Sequence, residues 1–198
     1  MKLLRTFKNT CLFCWVLFLS GSILTAAGED ANSDVANRLI GLCYHDGSAS
    51  IVLEEILRAE GIPYVRIDNL DRLKTFNLKG LVLGEGFDSS AEAVKSFMDR
   101  GGVLLSLQPG GSLAELLNLK ETGIQEGGYM EVKRDSTSLV PHDVRFQLFG
   151  KAKLYEGGEC LTRLEPSSRA GGIICTKHGS PTAMVVAFDL ATTMLTIL

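Results

Sequence analysis

Gly101-Gly102-Val103-Leu104-Leu105-Ser106-Leu107-Gln108-Pro109-Gly110-Gly111-Ser112-Leu113-Ala114-Glu115 is the stretch that decides the fold. It reads as a buried strand, a sharp glycine turn and a capped helix, the strand–turn–helix geometry of a nucleophile elbow. At the point of the turn, where an elbow would hold Ser or Cys between small residues, stand Gln108 and Pro109. The platform is there and the nucleophile is not.

Working back from the elbow, Ser89 with Glu92 has the spacing of a capping box, and the following helix buries Ala93, Val94, Phe97 and Met98 before stopping at Gly101-Gly102. Ser112 with Glu115 repeats that pattern ahead of Leu113, Leu116 and Leu117. Leu78 to Leu83 forms a strand closed by Gly84-Glu85-Gly86, and Tyr64 to Ile67 is a shorter one. The run from Leu39 to Tyr44 is nearly all apolar, as in a strand covered on both faces, and Ser50 to Glu60 carries its apolar residues at helical spacing. Strands alternating with helices predict βαβ units. The expected fold is α/β, a three-layer parallel sheet with helices on both faces.

Beyond Gly123 the texture changes. Tyr129–Lys133, Val144–Phe149, Cys160–Leu164 and Ile173–Thr176 are short runs between Gly-rich turns and read as antiparallel strands, a β-rich C-terminal extension. Met184 to Phe188 returns to a fully apolar strand, and Asp189 opens a helix that runs to Leu198 with no stop signal, the mark of a truncated chain. One domain over 38–198 is expected, with a βαβ half (38–120) and a β-rich half (121–198) interleaved, because the late apolar strand needs a covered sheet to join.

The N-terminus is of another kind. Lys2, Arg5 and Lys8 precede the apolar run Cys11–Leu19, and small residues follow to Ala27. This is the order of a signal peptide over 1–27, too short and interrupted for a spanning anchor. The expected location is secreted or periplasmic, without stable membrane insertion once the segment is cleaved. Residues 28–37 are polar and acidic, a flexible leader. Of 20 basic and 23 acidic residues three basic ones leave with the signal, so 17 against 23 remain and the net charge becomes −6. An acidic surface without a basic, aromatic-interleaved cluster excludes nucleic acid as a partner. The mature chain keeps Cys43, Cys160 and Cys175. Cys160 and Cys175 are the plausible disulfide couple in an oxidising compartment, the alternative being three buried thiols.

Open α/β sheets bind ligands beyond the carboxyl ends of their strands. The residues placed there are Tyr44, His45 and Asp46, then Asp68, then Glu85, then Gln108 with Gly110 and Gly111. His45, Asp46 and Glu85 are the candidates for acid–base work, alone or around a divalent metal, with a loop turn as the alternative. Glu85 and the Gln108 amide suit the hydroxyls of a sugar, or an amine. Ser106 and Cys43 fall inside apolar strands and read as core, while His142 and His178 read as surface positions in turns. Gly110-Gly111 has no Lys-Ser/Thr after it, which excludes a P-loop, and no cofactor is implied.

Ile40 to Asp46, Leu81-Val-Leu-Gly-Glu85 and the helix entering Gly101–Leu105 resemble the class I glutamine amidotransferase-like superfamily, whose sheet is flavodoxin-like. More narrowly, Gly101–Pro109, Leu113–Leu119 and Val186–Ala191 resemble a secreted bacterial group of unknown function in which this module is the N-terminal side of a longer chain. The resemblance implies Cys at position 108 and a late His-x-Glu pair. The chain has Gln108, and His178 is followed by Gly179 and Ser180. It therefore implies the fold and argues against glutamine hydrolysis. The expectation is a non-catalytic binding or accessory domain for a small polar ligand, a glycan or a partner domain. The alternative is a saccharide or amide hydrolase using His45, Asp46 and Glu85.

Overall fold

The computed structural model describes residues 40–46, 48, 50–132, 145–167, 170–177 and 182–197. The signal segment, the leader, His142 and His178 lie outside them. The first half runs β1 (Ile40–Cys43), α1 (Ile51–Ala59), β2 (Tyr64–Arg66), a 3₁₀ helix (Leu70–Thr75), β3 (Gly80–Leu83), α2 (Ala91–Asp99), β4 (Val103–Leu107) and α3 (Gly111–Leu116). The second runs β5 (Lys120–Val132), β6 (Arg145–Glu156), β7 (Glu159–Cys160), β8 (Thr162–Glu165), β9 (Ile173–Lys177), β10 (Thr182–Val186) and α4 (Leu190–Ile197).

The main sheet has the order β2-β1-β3-β4-β10-β9-β7, parallel from β2 through β10. Its first five positions reproduce the flavodoxin-like order, with β10 as the fifth parallel strand. β9 and β7 then extend it in antiparallel steps. A second, antiparallel sheet has the order β6-β5-β8.

Strand alternation divides the core. Leu81, Leu83, Leu104, Ala183 and Val185 pack with Val94, Phe97 and Met98 of α2 and Leu113 of α3. The residues between them, Leu42, Val82, Leu105 and Val186, pack with Leu53 and Leu57 of α1 and with Met130, Leu148, Ala152 and Leu164 of the small sheet. Each fully buried Leu contributes about 1.5–3 kcal/mol of transfer free energy, so both covers are needed to hide a sheet apolar on both sides. The α/β class and its helices on both faces are as expected. The β-rich part is more than an extension, since three of its strands (β10, β9 and β7) complete the main sheet and three roof one side of it.

Four expectations need correction. Neither capping box forms: the helix after Ser89 is capped at Ser90 without a side-chain bond, and Ser112 Oγ instead donates to Asp88 O at 2.9 Å. The run from Cys160 to Leu164 is two strands in different sheets. β5 and β6 are far longer than their apolar runs, because pairing with each other, broken by irregularities at Glu121/Gly123 and Glu126/Gly128, carries the glycine-rich part of β5. Cys160 and Cys175 are not bridged. Cys160 lies opposite Ile174 in the ladder and Cys175 opposite Glu159, so the two side chains leave opposite faces of the sheet.

Candidate functional site

Four strand ends converge at the carboxyl edge of the main sheet. After β4 the chain reverses at Gln108, whose φ of 44° is in the left-handed region, so the strained backbone of an elbow is present on a side chain that does not favour it. Its N–H donates to Val186 O at 2.8 Å, tying the turn to β10. Its carboxamide Nε2 donates to Lys151 O of β6 at 2.9 Å, and the residue is 9% exposed. Gly110 and Gly111 follow because Asp88 crowds them. A Cβ on Gly110 would stand 2.8 Å from the Asp88 carboxylate, and Gly111 has φ of 49°. The Leu113 N–H donates to Asp88 O at 3.0 Å, fixing the start of α3 against the loop after β3.

β6 roofs this edge. The Lys151 carbonyl accepts from Asp189 N–H at 2.8 Å as well as from Gln108, and Lys153 N–H donates to Ala187 O at 2.7 Å. Ala152 bridges to Phe188, and Tyr155, buried, donates its hydroxyl to Pro109 O at 2.5 Å. Thr193 of α4 both donates to Phe149 O and accepts from Phe149 N–H, at 3.0 and 3.2 Å. The elbow is thus a fastening point between the two sheets.

Glu85 follows β3 and is partly buried. Burial, and then the charge of Asp189, push its carboxyl above the usual range, against the opposing pull of Lys153. Lys153 Nζ lies 3.4 Å from Glu121. Asp189 caps α4, its Oδ1 accepting from Thr192 N–H at 2.8 Å. Burial is the main cause raising the Tyr155 hydroxyl, helped by Glu121, Asp88 and Glu85, so that phenol stays protonated.

The candidates after β1 are engaged elsewhere. Tyr44 is buried and donates to Glu54, which also accepts from Tyr64 at 2.9 Å. Those two hydrogen bonds hold the Glu54 carboxyl below its ordinary value. Arg66 lies 4.6 Å over the Tyr44 ring, pairs with Asp46 and reaches Asp68 at 3.4 Å. His45 is exposed, stacks on Phe87 at 4.3 Å and has Nε2 3.3 Å from Gly86 O. So His45 sits against the residues just after Glu85, Asp46 turns to Arg66, and the charges bearing on Glu85 are Asp189 and Lys153. Among the described residues no group of three His, Cys, Asp or Glu has metal-binding geometry.

Cys43 is buried and its thiol is pushed up to about 11, first by burial and then by Asp68, which makes it core as expected. Ser106 is fully buried. Lys153, Asp189, Tyr155, Asp88 and Glu121 were not among the sequence candidates. The first and third had a signal: Lys151-Ala152-Lys153-Leu154-Tyr155 alternates strictly, which marks a strand presenting two lysines and a tyrosine on one face. What the edge offers chemically is two carboxylates, an ammonium and an amide turned inward. These suit hydrogen bonding to hydroxyls or an amine, and none is an activated nucleophile.

No family model and no curated protein matches the sequence. Solved structures do match. A glutamine amidotransferase from Thermotoga maritima superposes with a TM-score of 0.54 at 13% identity, over 80% of this chain and 80% of that one. A β-galactosidase from Bacillus circulans sp. alkalophilus gives 0.56 at 12% identity, over 81% of this chain and 30% of that one. An exo-β-1,4-mannosidase from Opitutaceae bacterium strain TAV5 gives 0.54 at 12% identity, over 83% and 33%. The chain spans about a third of the length of these two glycoside hydrolases.

Proposed function

We propose that this amidotransferase-like fold serves as an exported, non-catalytic accessory domain, with its recognition surface on the rim of the sheet around Glu85 and His45. The observation that carries the reading is Gln108. It stands in the strained elbow conformation, where a nucleophile would be mounted, yet it is a carboxamide whose Nε2 is spent on Lys151 O beneath β6. A scaffold that keeps the elbow backbone while tying its side chain into the protein is better suited to holding a surface than to covalent chemistry. The signal-like N-terminus supports export, and the lack of a Cys at position 108 supports the absence of glutamine hydrolysis.

The ligand class favoured is a glycan or another small polyhydroxyl compound, with a partner domain as the other source of such contacts. Two multi-part glycoside hydrolases contain a region of this fold making up about a third of each chain, and a carboxyl, a lysine and an imidazole are the groups that hydroxyls recognise. Calorimetric titration with galactose-, mannose- and glucose-based oligosaccharides tests this. Binding weakened at least tenfold by Glu85→Ala or His45→Ala supports the rim as the site. Binding untouched by either variant, or no binding together with tight association to a separately expressed partner domain, overturns the glycan assignment.

A further inference from the structure

We draw no further inference here: the strongest candidate, the cluster of Glu85, Asp189, Lys153 and Glu121 at the carboxyl edge of the main sheet where β6 crosses it, belongs to the site already described, and nothing in the structure shows what it would take.

Discussion

Replacing Gln108 tests whether the elbow is a fastening point. Gln108→Ala deletes the Nε2 hydrogen bond to Lys151 O, a net loss of about 1 kcal/mol. It leaves no orphan acceptor, because Lys151 O still receives the Asp189 N–H. One buried methylene is also lost, about 0.8 kcal/mol. The expected destabilisation is therefore about 2 kcal/mol, with the left-handed backbone strain unchanged, since Ala tolerates φ of 44° no better than Gln. Gln108→Gly loses the same bond but relieves about 1 kcal/mol of that strain, so it should be at least as stable as the Ala variant despite the smaller side chain. Urea unfolding followed by far-UV circular dichroism reads both. With a slope of about 2 kcal/mol/M, the Ala midpoint should fall by about 1 M and the Gly midpoint by no more than that. Hydrogen exchange should place the loss at Lys151–Tyr155. An Ala variant with an unchanged midpoint and unchanged exchange in β6 would refute the fastening role.

Gly128→Ala should be far more damaging, by about 3 kcal/mol or more, because φ is 113° and the new Cβ would lie 2.2 Å from Glu165 O and 2.5 Å from Gln125 Nε2; a thermal melt shows it as a large drop in Tm. Glu85→Gln should stabilise the protein at pH 7 and have little effect at pH 4. The folded-state carboxyl is raised, so the native state is favoured below the unfolded value and loses stability as pH climbs through the folded one, a loss the amide cannot suffer. Urea titrations at the two pH values test the sign, and equal effects at both would contradict it. Under non-reducing conditions, alkylation of the unfolded protein followed by intact mass should show Cys160 and Cys175 both modified, and before unfolding Cys43 should resist the reagent, as a buried thiol pushed up to about 11 must. A mass lacking two of the alkyl groups that full reduction would give, and a further 2 Da, would contradict the strand register, because one S–S bond blocks two thiols and removes two hydrogens.

The parallel core was readable because its chemistry is local. Val103–Leu107 is a strand that needs no partner to be recognised, and the glycines flanking it can be nothing but turns. The start of α4 was readable for the same reason, since Asp189 is a cap wherever it lies. What escaped depends on contacts distant in sequence. The polar, glycine-rich start of β5, Lys120 to Gly128, has no strand signature of its own and is strand because β6 pairs with it. Ser112 had the spacing of a cap, but Asp88 O, brought near by the loop after β3, took its hydroxyl.

The candidate site divides along the same line. Position after a strand placed Tyr44, His45, Asp46, Glu85 and Gln108 correctly at one edge of the sheet. It could not say where each side chain turns: Tyr44 inward to Glu54, Asp46 sideways to Arg66, Gln108 up to β6. Those choices are set by Glu54, Arg66 and Lys151, residues from α1, β2 and β6 whose approach only the tertiary fold supplies.

An elbow that carries no chemistry should support no turnover, and turnover can be followed directly. The protein and its Glu85→Gln variant should be incubated with glutamine, following ammonia, and with nitrophenyl galactosides, mannosides and glucosides, following nitrophenol. Both should remain at the rate of the protein-free control. Release well above that rate that falls in the Glu85→Gln variant would contradict the absence of chemistry, and would make the carboxyl beside Asp189 and Lys153 a catalytic group.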